Sequence, residues 1–150
     1  MNLKQQIQSD FVQAMKSKDE DGKRAISSLK AKITEAEKAN KNTELTDIEV
    51  IKVVSSAIKQ RKQSYEEYTK FGRTDLADVE SKDISILERY LPKQMNETEI
   101  EIAVREIIQS FSTVITNPNA LIGRTVGEFN KKYVGLADVE TVKRVVSSLV

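Results

Sequence analysis

Apolar side chains recur at every third or fourth position along most of the chain. This spacing places them on one face of an α-helix, so the pattern predicts a series of amphipathic helices. The first covers residues 2–17, the second follows Gly22, and the third is the longest, over about 47–71. Thr46 and Glu49 have the spacing of a capping box at the start of that third helix. The pattern therefore predicts an all-α fold.

The stretch YTKFGRTDLADVE, residues 68–80, stops one helical pattern and starts the next within a few positions. Gly72 suits the left-handed conformation that ends a helix, and Thr74 or Asp75 can cap the helix that follows. Because so few residues separate the two helices, they should fold back on each other as a long antiparallel hairpin. Arg73, at the tip, is the one residue whose type the turn does not require.

Three more helices are predicted after the Tyr-Leu-Pro sequence that ends the hairpin. Asn96 has the capping position of the first, and residues 112–119 should form a loop. The second is a short helix over about 120–133 that is closed by Gly135. Asp138 caps the last one. The C-terminal part should thus be a small three-helix subdomain.

The segment between the two parts divides the chain into an N-terminal helical hairpin subdomain, residues 1–92, and a C-terminal subdomain, residues 96–150. Gly123 and Gly127 lie four positions apart in the C-terminal subdomain, hence one above the other on a helix. A surface of this kind lets another backbone approach closely. The backbone that approaches is either that of a neighbouring helix or that of a nucleic acid.

The composition excludes several classes of chemistry. The 150 residues contain no Cys and no His, so thiolate catalysis, Cys-based zinc sites and the commonest general base are absent. No phosphate-binding loop motif is present, and the acids Asp75, Asp78 and Asp83 are more simply an acidic first turn of a helix than metal ligands. We expect no catalytic residue, no metal and no cofactor. The polar N-terminus and the lack of a long apolar run predict a soluble cytoplasmic protein.

A formal net charge of +1 conceals an uneven distribution along the chain. Residues 59–73 carry five Lys or Arg against two acids, and residues 74–91 carry two against five. Helix-borne cations beside a closely approachable surface can bind phosphates without reading sequence. The candidate RNA-binding residues are Lys59, Arg61, Lys62, Arg73, Arg124, Lys131 and Lys132. Arg61 has an alternative role, an ion pair inside the hairpin with an acid such as Glu88.

Five short motifs occur in order along the chain: KQRKQS at 59–64, FGRTDLA at 71–77, LERYLPKQ at 87–94, GRTVG at 123–127 and GLAD at 135–138. Together they resemble the GatB/YqeY family, specifically its free-standing YqeY-like proteins. The resemblance covers essentially the whole chain. It implies an all-α fold whose C-terminal part is similar to the tail domain of GatB, a component of the tRNA-dependent Glu/Asp amidotransferase.

That tail is thought to help to hold tRNA, and the positions here that match its motif are Gly123, Gly127, Gly135 and Asp138. Gly72 is a further structural position, in the FGRTDLA motif of the hairpin. Arg124 stands where the family usually has Lys and keeps the charge. Val139 stands where the family usually has a glycine, which weakens any role that needs a bare backbone there. The kinase portion of GatB and the amidase machinery of its partner have no counterpart in this sequence.

The sequence therefore predicts a non-catalytic, tRNA-associated protein whose C-terminal subdomain contacts the RNA backbone. One alternative is an accessory component of a glutamine-dependent amidotransferase, a carbon–nitrogen ligase whose activity other subunits supply. Another is a protein–protein adaptor, in which the hairpin tip around Arg73 inserts into a partner.

Overall fold

A computed structural model describes all 150 residues and consists of seven α-helices without a β-strand. The predicted all-α class is confirmed. The helices are α1 (Leu3–Lys16), α2 (Glu20–Ala39), α3 (Asp47–Lys70), α4 (Thr74–Glu88), α5 (Glu97–Phe111), α6 (Pro118–Lys132) and α7 (Val139–Leu149).

The chain divides into two compact units, Met1–Leu91 with α1 to α4 and Pro92–Val150 with α5 to α7. Each unit has a hydrophobic cluster of its own. No helix in either unit is both long enough and apolar enough to cross a membrane.

The core of the first unit forms where α2, α3 and α4 meet. Val50 and Val54 of α3 are completely buried there, and Leu29 of α2 and Leu87 of α4 pack in the same cluster. Tyr90, just after α4, is buried at the edge, and its hydroxyl donates a hydrogen bond to Asp10 Oδ2 on α1 at 2.7 Å. Burial first, and then the hydrogen bond to Asp10, raise the pKa of the Tyr90 phenol. This hydrogen bond joins the end of α4 to the first helix.

The corner between α3 and α4 is built as the glycine predicts. Gly72 has a φ of +75°, its N–H donates to the Thr69 carbonyl, and the Arg73 N–H donates to the Tyr68 carbonyl. These two bonds form a Schellman motif that satisfies the last carbonyls of α3. The expected cap of α4 is wrong, because neither of the candidate side chains occupies the cap position. Arg73 does, and it makes no capping hydrogen bond.

The corner between α1 and α2 uses the same motif without a glycine. Lys18 has a φ of +58°, its N–H donates to the Met15 carbonyl, and the Asp19 N–H donates to the Ala14 carbonyl. Asp19 then caps α2, where its Oδ1 accepts from the Gly22 N–H at 3.0 Å. The sequence had suggested that the second helix begins after Gly22. It begins before this residue, at Glu20.

The second unit packs α5, α6 and α7 around Phe129, which is buried with Val104, Val142 and Val146. The cap of α5 by Asn96 is confirmed, with Asn96 Oδ1 accepting from the Glu99 N–H at 2.8 Å.

The start of α6 lies earlier than predicted. Asn117 caps the helix and Pro118 is its first residue, since a proline has no N–H to leave unpaired at that position. The end of the helix leads into Gly135, with a φ of +71°, and Asp138 caps α7 as predicted.

Candidate functional site

The seven candidate RNA-binding residues are divided between the two units. Lys59, Arg61 and Lys62 lie on α3 and Arg73 stands at the hairpin tip, whereas Arg124, Lys131 and Lys132 lie on α6. All are exposed except Arg61. Whether each of these residues can bind a phosphate depends on its neighbours, in particular on whether an acid pairs with it.

Arg61 is held inside the first unit. Its Nη1 donates to Asp83 Oδ2 at 2.7 Å and to Glu80 Oε2 at 3.2 Å, and its Nη2 donates to Ser28 Oγ at 3.1 Å. The side chain is only 17% exposed. The ion pair inside the hairpin is present, but the predicted acid, Glu88, is not its partner. Three of the five N–H donors of Arg61 are thus used by the fold, and its charge is paired with two acids.

Asp83 is the residue that sequence reasoning misjudged at this place. It lies deep in α4, not in its first turn, and is 1% exposed. Arg24 of α2 donates to it through Nη2 at 2.7 Å and Nε at 3.2 Å, in addition to the bond from Arg61. The hydrogen bond to Asp83 is the main reason that the pKa of Arg24 is raised. Asp83 thus links α2, α3 and α4, and no spacing along the sequence indicates this.

The hairpin tip presents an aromatic side chain beside a neutralised cation. Phe71 is 76% exposed, the highest exposure of any aromatic residue in the chain. Arg73 Nη2 lies 3.1 Å from Asp75 Oδ2, and their hydrogen bonds raise the pKa of Arg73 and lower that of Asp75. Residues 66–78 carry two basic residues against four acids. The tip is consequently a poor surface for a phosphate backbone.

The outward face of α6 is very different. Helical spacing places Ala120, Gly123, Arg124, Gly127 and Lys131 on one side of the helix, and all five are exposed. A Cβ atom added to either glycine would meet no atom within 4 Å. No neighbouring helix therefore uses the close approach that the two glycines permit, and one of the two predicted explanations for them is absent from this structure.

Neither cation on this face forms an ion pair, and Glu128 is the acid that lies within one turn of both on α6. No salt bridge involves Arg124 or Lys131, whereas Arg105 pairs with Glu101 and Arg144 with Glu97 in the same unit. The guanidinium of Arg124 lies over the ring of Phe111, 5.4 Å from its centroid. An aromatic ring orients a guanidinium without cancelling its charge. Lys132 lies on the adjacent side of the same last turn.

The two glycines have an energetic cost. A glycine in a helix interior is about 0.8–1.0 kcal/mol less favourable than alanine, so the pair costs α6 roughly 2 kcal/mol. Since nothing inside the protein fills the space above them, internal packing does not explain their presence. The face is exposed, and Arg124 and Lys131 place two positive charges on it.

No group of three or more acidic side chains is arranged to hold a metal ion. The fold and this surface thus define an all-helical protein of two units, each with its own core, with a basic and glycine-containing helix face in the second. The chain belongs to the YqeY-like protein family, whose model matches residues 4–150. A comparison with individually curated proteins gives no match.

Proposed function

We propose that this protein binds tRNA without reacting with it, and that the outward face of α6 contacts the sugar–phosphate backbone. The observation that carries the proposal is the exposed pair Gly123 and Gly127 beside Arg124 and Lys131. A backbone that bears phosphates needs both positive charge and room to approach. The resemblance of the C-terminal part to a tRNA-holding tail domain supports the same conclusion.

The first test measures fluorescence anisotropy of labelled bulk tRNA at about 50 and 200 mM salt. Three phosphate contacts from Arg124, Lys131 and Lys132 give a slope of roughly −2 to −3 in log K against log salt, or about 20- to 40-fold weaker binding at the higher salt. Replacing all three with Gln should make the slope shallower by about 2 to 3. Unchanged affinity and slope in that variant would refute the proposed site.

The matched control has the same change of charge elsewhere in the second unit. Lys93, Arg105 and Lys143 lie outside the α6 face, and replacing them with Gln also removes three positive charges. If binding depends on net charge alone, the two triple variants lose affinity equally. If the α6 face is the site, only the first variant does.

The glycines allow a second test in which stability and binding change in opposite directions. The double variant Gly123→Ala/Gly127→Ala should raise the free energy of unfolding by about 1–2 kcal/mol, because alanine favours the helix and has space for its methyl group. The added methyl groups should also weaken tRNA binding by keeping the RNA backbone away. A more stable variant with unchanged affinity would show that no ligand uses the close approach.

The hairpin tip favours a second function, that of a protein–protein adaptor. Phe71 and Arg73 are both exposed and belong to residue types that are enriched at protein–protein interfaces, and the local excess of acids opposes RNA. The family resemblance makes a tRNA-dependent amidotransferase the first partner to test. Co-elution with that enzyme, and a changed rate of transamidation, should both be lost in Phe71→Ala. If the wild-type protein neither co-elutes with the enzyme nor changes the rate of transamidation, this partner is refuted.

A further inference from the structure

A groove of about 460 Å³ lies between α2 and α3 in the first unit. Lys32 and Glu35 of α2 line one side, and Lys52, Ser56 and Gln60 of α3 line the other. Apart from Lys32, which is half-buried, these side chains are exposed. Ala36 and Val53, which pack against the core, complete the lining, so the groove is part polar and part apolar.

Lys32 is positioned across this groove by a neutral partner. Its Nζ donates to Gln60 Oε1 at 2.8 Å, and no salt bridge neutralises it. By contrast, Lys4 of the same unit is paired with Glu37 at 2.8 Å. A fixed ammonium group that keeps its charge is suited to a phosphate oxygen, for which lysine acts as a point charge.

The adjoining face of α3 continues the same chemistry. Lys52, Ser56, Lys59 and Gln63 follow one another at i, i+4, i+7 and i+11, so they form one stripe along the helix, and all four are exposed. The stretch 50–65 contains no acidic residue and four basic ones. Lys52, at the start of this stripe, also lines the groove, so the stripe continues from the groove along α3.

Glu35 is the one acid that lines the groove. Its charge opposes an anion there, so the groove should bind phosphates less tightly than its lysines alone would allow. This gives the site a residue whose removal has the opposite effect from the removal of the lysines.

We infer that the groove between α2 and α3 is a second phosphate-binding site, separate from α6, and that the backbone of the bound RNA supplies the phosphates. The inference about RNA rests on the proposed function, whereas the phosphate chemistry of the groove does not. Lys32 and Lys52 are the principal contacts, and Ser56 and Gln60 supply neutral hydrogen-bonding groups between them.

The experiment has one arm for each source of phosphate. In the first, tripolyphosphate is titrated into the isotope-labelled protein, and NMR follows the backbone amide signals of residues 52 and 56. These signals should shift in the wild-type protein and not in Lys32→Gln/Lys52→Gln. In the second, tRNA anisotropy is measured over a range of salt, where loss of two phosphate contacts should make the slope shallower by about 2.

Three further variants are compared with Lys32→Gln/Lys52→Gln. Lys23→Gln/Lys38→Gln removes two exposed lysines from α2 outside the groove and should leave the slope unchanged. Lys32→Arg/Lys52→Arg should retain binding, which separates charge from any effect of the changes on folding. Glu35→Gln should strengthen the binding of both tripolyphosphate and tRNA.

Each result decides a different point. No shift in the groove with tripolyphosphate overturns the phosphate site. A shift in the groove together with an unchanged tRNA slope in Lys32→Gln/Lys52→Gln overturns RNA as the source. The third possible result is a slope that becomes shallower in Lys32→Gln/Lys52→Gln but stays unchanged when the cations of α6 are replaced. That result supports the groove and refutes the proposed site on α6.

Discussion

The substitution Asp83→Asn removes the one charged side chain that is fully buried in this protein. It leaves the guanidinium groups of Arg24 and Arg61 without the carboxylate that joins them. Removing one partner of a buried ion pair costs about 3–5 kcal/mol, because the remaining charge is left uncompensated.

Two features of the structure place this variant at the lower end of that range. The side chain of Arg24 is 40% exposed and can regain water, and Arg61 keeps its bond to Glu80 at 3.2 Å. We therefore expect a loss of about 3 kcal/mol in the free energy of unfolding of the first unit. The main cost is the partial burial of Arg61 beside a neutral amide.

Peptide-resolved hydrogen exchange is the suitable assay, because the two units need not unfold together. A loss of about 3 kcal/mol accelerates the exchange of the most protected amides in α3 and α4 by about 100- to 200-fold. Protected amides in α5 should exchange as in the wild-type protein. Acceleration of α3 and α4 by less than about tenfold would refute the reasoning from buried charge.

Two controls separate charge from the loss of a side-chain contact. Asp75→Asn removes the same charge from an exposed pair on the same helix and should leave exchange in the core of α4 nearly unchanged. The double variant Arg61→Met/Asp83→Leu replaces both members of the buried pair with apolar groups. It should recover most of the lost stability, since such replacements are often neutral or stabilising.

Four further substitutions test other parts of the structure. Thr125 is fully buried and its hydroxyl has no hydrogen-bond partner, so Thr125→Val should raise the stability of the second unit by about 1 kcal/mol in urea unfolding. The hydrogen bond from Lys4, and then that from a backbone N–H, lower the pKa of Glu37 below its ordinary value of 4.5. The contribution of the Glu37 carboxylate to stability is therefore complete above pH 4.5 and is lost as the pH falls through the lower, folded-state pKa. Glu37→Gln lacks this contribution, so its melting temperature should depend less on acid pH than that of the wild-type protein. Lys18 has a left-handed conformation that costs a non-glycine residue about 1–2 kcal/mol, so Lys18→Gly should raise the melting temperature. Gly72→Ala should lower the melting temperature for the same reason. A lower melting temperature for Lys18→Gly and a higher one for Gly72→Ala would contradict the assigned backbone angles.

The helices were largely predictable because their signals are local. Apolar periodicity, the capping side chains of Thr46, Asn96 and Asp138 and the glycine at position 72 each act within a few residues. The boundaries that were missed are those with weaker local signals. Lys18 takes a conformation that favours glycine, and Pro118 starts a helix where the sequence suggested a loop.

The candidate site was predictable in its residue types but not in its surroundings. Sequence alone ranked Arg61 and Arg124 together as basic residues near family motifs. The structure surrounds Arg61 with two acids and a serine hydroxyl, and leaves Arg124 on an open helix face over an aromatic ring. Exposure and pairing depend on residues far away in the chain, so no local pattern contains them.

By itself, then, the sequence determined the helical class, most helix ends and the absence of Cys and His, since these follow from local propensity and from composition. Only the tertiary structure decided that Asp83 is buried between two arginines and that nothing covers Gly123 and Gly127. The physical reason is that both facts depend on which helices pack together. Packing brings Arg24 to an acid 59 positions away, and it leaves the outward face of α6 without a neighbour.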